Sequence, residues 1–222
     1  VVFLGDLGRD LPYSEQTYWK TFNIPPEGGV SNTCYTRSIE GCFADPEAPD
    51  LRFKYELACF KKEWQKEHSW PLFLELSEAD QHLLTALHLP ITNEQGEFDQ
   101  QILALTKILV DSLNESEISR HLENESTEAK GITKLDMFLK QSPRSGDGDV
   151  VGFLRDLQAL RSSGVGHRKG RKYDRIAKRF GIGSRDLQTV CNAILTEASE
   201  MLLKLQEHNR SENQSNRPMN CD

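Results

Sequence analysis

The last helical pattern in the chain constrains its fold most. Leu187, Val190, Cys191, Ile194, Leu195, Ala198, Met201, Leu202 and Leu205 recur at three- and four-residue intervals, which lines one face of an α-helix. At 1.5 Å per residue, a helix of about 22 residues is roughly 33 Å long. A stripe of that length needs other helices beside it, because an isolated amphipathic helix gains most of its stability from packing.

The rest of the sequence supplies those helices. Phe98 to Leu113 is strongly apolar (Ile102, Leu103, Leu105, Ile108, Leu109, Val110) and reads as a central, buried helix. After a polar connection over 115–130, Ile132, Leu135, Phe138 and Leu139 mark a shorter one, and Pro143–Gly148 is a loop. Val150, Val151, Phe153, Leu154, Leu157 and Leu160 define the penultimate long helix, and Ser184 is placed to cap the last. Earlier, Phe53, Leu57, Phe60 and Trp64 follow i, i+4, i+7, i+11 spacing, and Ser77–Asp80 resembles a capping box before Leu83, Leu84 and Leu87. Ser14 is placed to cap a short helix with Tyr18, Trp19 and Phe22, and Ser31 another with Cys34, Tyr35, Ile39 and Phe43. Pro25-Pro26 and Gly28-Gly29 separate these two. Tyr18, Trp19, Trp64 and Trp70 lie at helical spacing among other apolar residues, which places them in the core or between domains rather than on a base-stacking platform.

The expected class is all-α: an antiparallel helical bundle over 98–207, preceded by a smaller helical region over 1–97 with an N-terminal strand at Val1–Leu4. The polar stretch 208–222 is expected to be disordered. The start on Val1 rather than Met suits the C-terminal part of a longer protein, with the strand belonging to an upstream domain. No apolar run approaches the ~18 residues of a membrane span. Five irregularly spaced cysteines (Cys34, Cys42, Cys59, Cys191, Cys221) without a signal peptide read as reduced thiols in a cytoplasmic protein. They lack the close pairs of a zinc site, and no cofactor motif is present.

Charge is unevenly spread. The chain carries −7 overall, a poor start for a nucleic-acid binder. Between Arg161 and Arg179, however, lie eight basic residues and the single acid Asp174. That window carries +7 and everything else −14. With Tyr173 at zero and about 100° per residue, Ile176, Ala177 and Phe180 share one side of a short helix. Arg171, Lys172, Arg175, Lys178 and Arg179 share the other. A face of single sign suits a polyanion, phosphate above all. Membrane-surface binding competes, but the apolar face is narrow and needed by the core.

Just before this helix, the apolar pattern ends at Leu160; Arg161 follows, then Ser162-Ser163-Gly164-Val165-Gly166, then His167. Taken singly, the Arg and His read as charges favourable near a helix C-terminus. Together, at the end of the penultimate long helix and beside a basic stripe, the Arg-x5-His pair resembles the HEPN superfamily over about residues 98–207. Residues 1–97 resemble no family. The resemblance implies a compact helical bundle, acting as a homodimer in which two motifs share one cleft. It implies metal-independent endoribonuclease activity, as in prokaryotic antiviral defence and abortive-infection effectors. By analogy, an extra region before such an effector suits sensing, and an upstream sensor domain in the same polypeptide is expected. Arg161 and His167 take the catalytic places, while Arg168, Lys169, Arg171, Lys172 and Arg175 hold the RNA backbone. The chemistry suits the side chains. An imidazole serves as acid or base near neutrality, and a guanidinium clamps two phosphate oxygens. Neighbouring cations disfavour the imidazolium, which favours a base role for His167. Two other readings stay open: a non-catalytic HEPN-like module binding RNA or a partner, favoured by Ser162 and the two glycines, and a helical interaction module whose basic patch meets an acidic surface.

Overall fold

A computed structural model describes residues 8–22, 29, 32–41, 46–123, 129–141, 147–164 and 171–215. These are mostly helical, with two isolated β-bridges and no strand among them. The expected strand at Val1–Leu4 lies outside the described residues. The chain divides into two compact units, Val1–Ala44 and Asp45–Asp222. Among the described residues, no helix is long and apolar enough to cross a membrane.

The first unit holds α1 (Tyr13–Lys20) and α2 (Asn32–Ser38). Pro12 rather than Ser14 stands at the N-cap of α1, with φ −59° and ψ 151° and no side-chain cap, so Ser14 falls inside the first turn. No residue of α1 is buried. Tyr18, Trp19 and Phe22 share a face as their spacing predicts, and their rings meet at centroid distances of 5.1–6.1 Å. They are nevertheless 56%, 51% and 60% exposed, so of the two places expected for Tyr18 and Trp19, core or interdomain, the core does not hold. Helical spacing defines a face but cannot say whether anything covers it.

The second unit begins with α3 (Pro49–His68), whose first turn carries Pro49 and whose end is set by Ser69 at φ 60°. Phe53, Leu57, Phe60 and Trp64 are all buried, as their spacing requires. They belong to one continuous core with Ile194, Leu195, Ala198 and Leu202 of the last helix. The boundary expected at residue 97 therefore falls inside this unit, because α3 packs along the helix at the other end of the sequence. Trp70 is also buried, as expected, and stacks on His121 at 5.1 Å.

Next come α4 (His82–Ala86), α5 (Gln95–Thr106), a π-helical turn (Lys107–Asp111) that continues α5, and α6 (Glu115–Arg120). The capping box is partly formed: Ser77 Oγ bonds to Asp80 Oδ2 at 3.1 Å, but α4 starts only at His82. The segment expected as a polar connection contains α6 because Asn114 caps it and Ile118 is fully buried. The bundle is completed by α7 (Gly131–Gln141), α8 (Asp147–Gly164), α9 (Arg171–Phe180) and α10 (Leu187–Ser215). The last packs against α3, α8 and α5, while α8 also packs against α5, α7 and α9.

The cap of α10 is Asp186 rather than Ser184. Gly181 and Gly183, at φ 76° and 86°, use up the intervening residues in a turn. Asp186 then accepts from the Thr189 N–H and hydroxyl, both at 2.8 Å, which holds its carboxyl below the usual range. Asn93 adds a second acceptor, receiving the Leu187 N–H at 2.6 Å. At its far end α10 runs to Ser215, past the expected stop at 207, since no glycine or proline occurs between His208 and Ser215. Residues 216–222 lie outside the described residues.

Candidate functional site

The site lies where α8 ends and α9 begins. Arg161 sits in the last turn of α8 and is followed by Ser162, whose hydroxyl donates to the Gln158 carbonyl at 2.7 Å. Arg161 Nη1 donates to Asp111 Oδ2 at 2.6 Å. The two side chains are 31% and 41% exposed, so this pair lies at the edge of the core. His167, Arg168 and Lys169 lie outside the described residues. Arg171 and Lys172 occupy the first turn of α9, their side chains outside the description.

From Tyr173 onward α9 follows its sequence pattern. Tyr173, Ile176, Ala177 and Phe180 are buried and turned to the core, while Arg175 and Lys178 are exposed. Neither of these cations has an ion-pair partner among the described residues.

Arg179 departs from the expected stripe. Its Nε donates to Asp156 Oδ2 of α8 at 3.2 Å, and its Nη2 donates to Glu197 of α10. The guanidinium also lies 4.8 Å from the Phe180 ring centroid. The hydrogen bond to Glu197 and the charges of both acids raise its pKa above the usual arginine value. This cation fastens α9 to its neighbours. Helical periodicity placed it on the outer side correctly, but could not report acids arriving from two other helices.

Two surface grooves flank α9. One, of about 680 Å³ between α8 and α10, is lined by Asp149, Asp156, Arg179, Glu197, Glu200 and Lys204. The other, about 670 Å³, is lined by residues including Asn93, Tyr173, Asp174, Lys178 and Arg185. Arg161 lines neither. No group of three His, Cys, Asp or Glu side chains able to hold a metal occurs among the described residues.

Asp111 is the residue that sequence reasoning missed. It is the only charged residue between Ile108 and Asn114, in a run otherwise apolar but for Ser112, and that isolation was the available signal. No protein-family model, curated protein or solved structure matches the chain.

Proposed function

We propose that the chain is a metal-independent endoribonuclease of HEPN type, acting as the effector end of a defence protein. The observation that carries this reading is where Arg161 and the exposed cations of α9 stand in the fold. An arginine fixed in the last turn of α8 is followed, past His167, by a helix that buries its apolar face and leaves Arg175 and Lys178 outward without acidic partners among the described residues. Cleavage of RNA by its own 2′-hydroxyl needs that hydroxyl deprotonated, the charge on the pentavalent phosphorus stabilised and the 5′-oxygen protonated. His167 takes the 2′-hydroxyl proton as base. The Arg161 guanidinium stabilises the phosphorane oxygens. Arg168, Lys169, Arg171, Lys172 and Arg175 hold neighbouring phosphates without reading sequence. One motif supplies one imidazole, so the second proton transfer falls to the motif of a second copy.

A second reading, a HEPN-like module that binds RNA without cleaving it, is favoured by one observation. The hydroxyl of Ser162, the residue after the arginine, is engaged with its own helix through Gln158.

Incubation of labelled RNA with the protein in EDTA decides between them. Cleavage that is lost in His167→Ala and Arg161→Ala supports the nuclease. Binding without cleavage, weakening steeply with salt, supports the second reading. No RNA binding at low salt overturns both.

A further inference from the structure

What holds Arg161 lies fifty residues earlier in the chain. Asp111 closes the π-helical turn Lys107–Asp111 that ends the α5 run. Turns of this kind are rare and occur often at functional sites, because the wider winding re-aims side chains. The backbone around Asp111 is fastened on both sides. Before it, Lys107 donates to Asp80 at 2.5 Å, and Ile108, Leu109 and Val110 are buried. Lys107 in turn holds the Asp80 carboxyl below its usual range. After it, the Ser112 hydroxyl donates to the Ile108 carbonyl at 2.5 Å. Residues 112–114 then pair with the extended segment 71–74. The Leu74 N–H donates to Ser112 at 2.7 Å, and the Asn114 N–H donates to Leu72 at 2.9 Å. The Asn114 side chain also donates to the Pro71 carbonyl at 2.9 Å. Asp111 is therefore a carboxylate mounted on rigid backbone.

Its contact with Arg161 is end-on, one guanidinium nitrogen to one carboxylate oxygen. Among the described residues, Arg161 Nε and Nη2 have no acceptor. That edge of the guanidinium keeps the paired N–H donors that match two oxygens of a phosphodiester. A bidentate contact with Asp111 would have consumed a second nitrogen.

We propose that Asp111 is a positioning residue for the phosphodiester site. It fixes the rotamer of Arg161 through Nη1 and leaves the Nε–Nη2 edge to the scissile phosphate. This rests on the reading of Arg161 given above. Fixing the arginine in advance removes an ordering cost from the reaction step. It also places a negative charge beside an anionic substrate, so the same residue opposes ground-state binding.

These two effects give a signature that a merely structural ion pair lacks. In steady-state cleavage of labelled RNA by the full chain in EDTA, Asp111→Asn lowers kcat roughly tenfold or more, while KM stays level or falls. Asp111→Glu, which restores the charge, recovers part of kcat. The melting midpoint of Asp111→Asn stays within about 2 °C of the parent, as the loss of a partly exposed pair requires. Wild-type kcat in Asp111→Asn, with Arg161→Ala inactive, overturns the role of Asp111 and leaves the nuclease reading standing. A kcat loss matched by a collapsed melting curve, or by no recovery in Asp111→Glu, also overturns it. An inactive parent protein, or an active Arg161→Ala, overturns the nuclease reading and this inference with it.

Discussion

Replacing Arg179 by alanine separates its structural role in α9 from the RNA-holding role proposed for Arg175. Arg179 joins Asp156 and Glu197 and covers Phe180, whereas Arg175 is exposed with no ion-pair partner among the described residues. The side chains of Arg179, Asp156 and Glu197 are 41%, 32% and 33% exposed, so solvent screens each pair substantially. Pairs of this kind contribute about 0.2–1 kcal/mol each. A guanidinium over a ring adds about 0.5–1 kcal/mol at an exposed site. After discounting for that exposure, Arg179→Ala should cost about 1–2 kcal/mol, including the mutual repulsion of the two acids left behind. For a unit of this size that lowers the melting midpoint by about 2–8 °C. Arg175→Ala should stay within about 0.5 kcal/mol of the parent.

On the function proposed above, RNA binding should show the reverse order. Arg175→Ala removes one phosphate contact and reduces the slope of log affinity against log salt by about 0.7 for a single strand. Arg179→Ala leaves that slope unchanged. Arg179→Met, which keeps the aliphatic stem, should recover part of the stability and none of the slope. The assay is urea denaturation of each variant beside fluorescence-anisotropy titrations of a labelled RNA at several salt concentrations. A flattened salt slope in Arg179→Ala with an unmoved urea midpoint would refute the division of labour.

Gly181→Ala and Gly183→Ala should each destabilise by about 1–2 kcal/mol, because φ of 76° and 86° is left-handed backbone. The new Cβ at 181 would meet the movable guanidinium of Arg185 at 2.9 Å and the one at 183 nothing. Adding Arg185→Ala should therefore fail to rescue Gly181→Ala, and rescue in that double-mutant cycle would show sterics to be the cause. Glu97 accepts from the Thr92 hydroxyl and from the Ile91 and Thr92 N–H groups, which brings its pKa down from 4.5 to about 2. Its contribution to stability is therefore complete above pH 4.5 and lost as pH falls toward 2; Glu97→Gln should flatten that limb of the unfolding midpoint plotted against pH. Burial pushes the Cys191 thiol up to about 12, so iodoacetamide at pH 8 should label the exposed Cys34 and spare Cys191 until denaturant is added, as read by peptide mass spectrometry.

The sequence was most informative where burial repeats with the helical period. The stripes of α3 and α10 and the docked face of α9 were legible residue by residue, since each is a run of apolar side chains that water cannot share. Caps were less legible. Ser184 and Asp186 are both good cap residues, and the choice depends on how many residues the Gly181–Gly183 turn consumes. The π-helical turn was invisible because five apolar-rich residues fit either winding. The partners of the site cations were invisible for a different reason. Asp156, Glu197 and Asp111 approach from 23, 18 and 50 residues away, and charge complementarity across such distances leaves no local pattern.

Those three acids change what the basic segment means. Counted along the chain, residues 161–179 carry +7, a field that any polyanion would feel. In the folded unit, Arg161 and Arg179 are each compensated by the acidic remainder, and Arg175 and Lys178 are the described cations left facing solvent without an ion-pair partner. On the nuclease reading, attraction and chemistry then fall to different residues of one stretch. The exposed cations of α9 act through solvent, where salt screens them within about 8 Å at physiological ionic strength. Arg161 acts at the edge of the core, held by Asp111, where screening is weaker. On the nuclease reading, raising the salt should therefore raise KM through α9 well before it lowers kcat through Arg161. On the same reading the acidic excess of the chain is part of the proposed site, since it decides which cations remain available to an RNA.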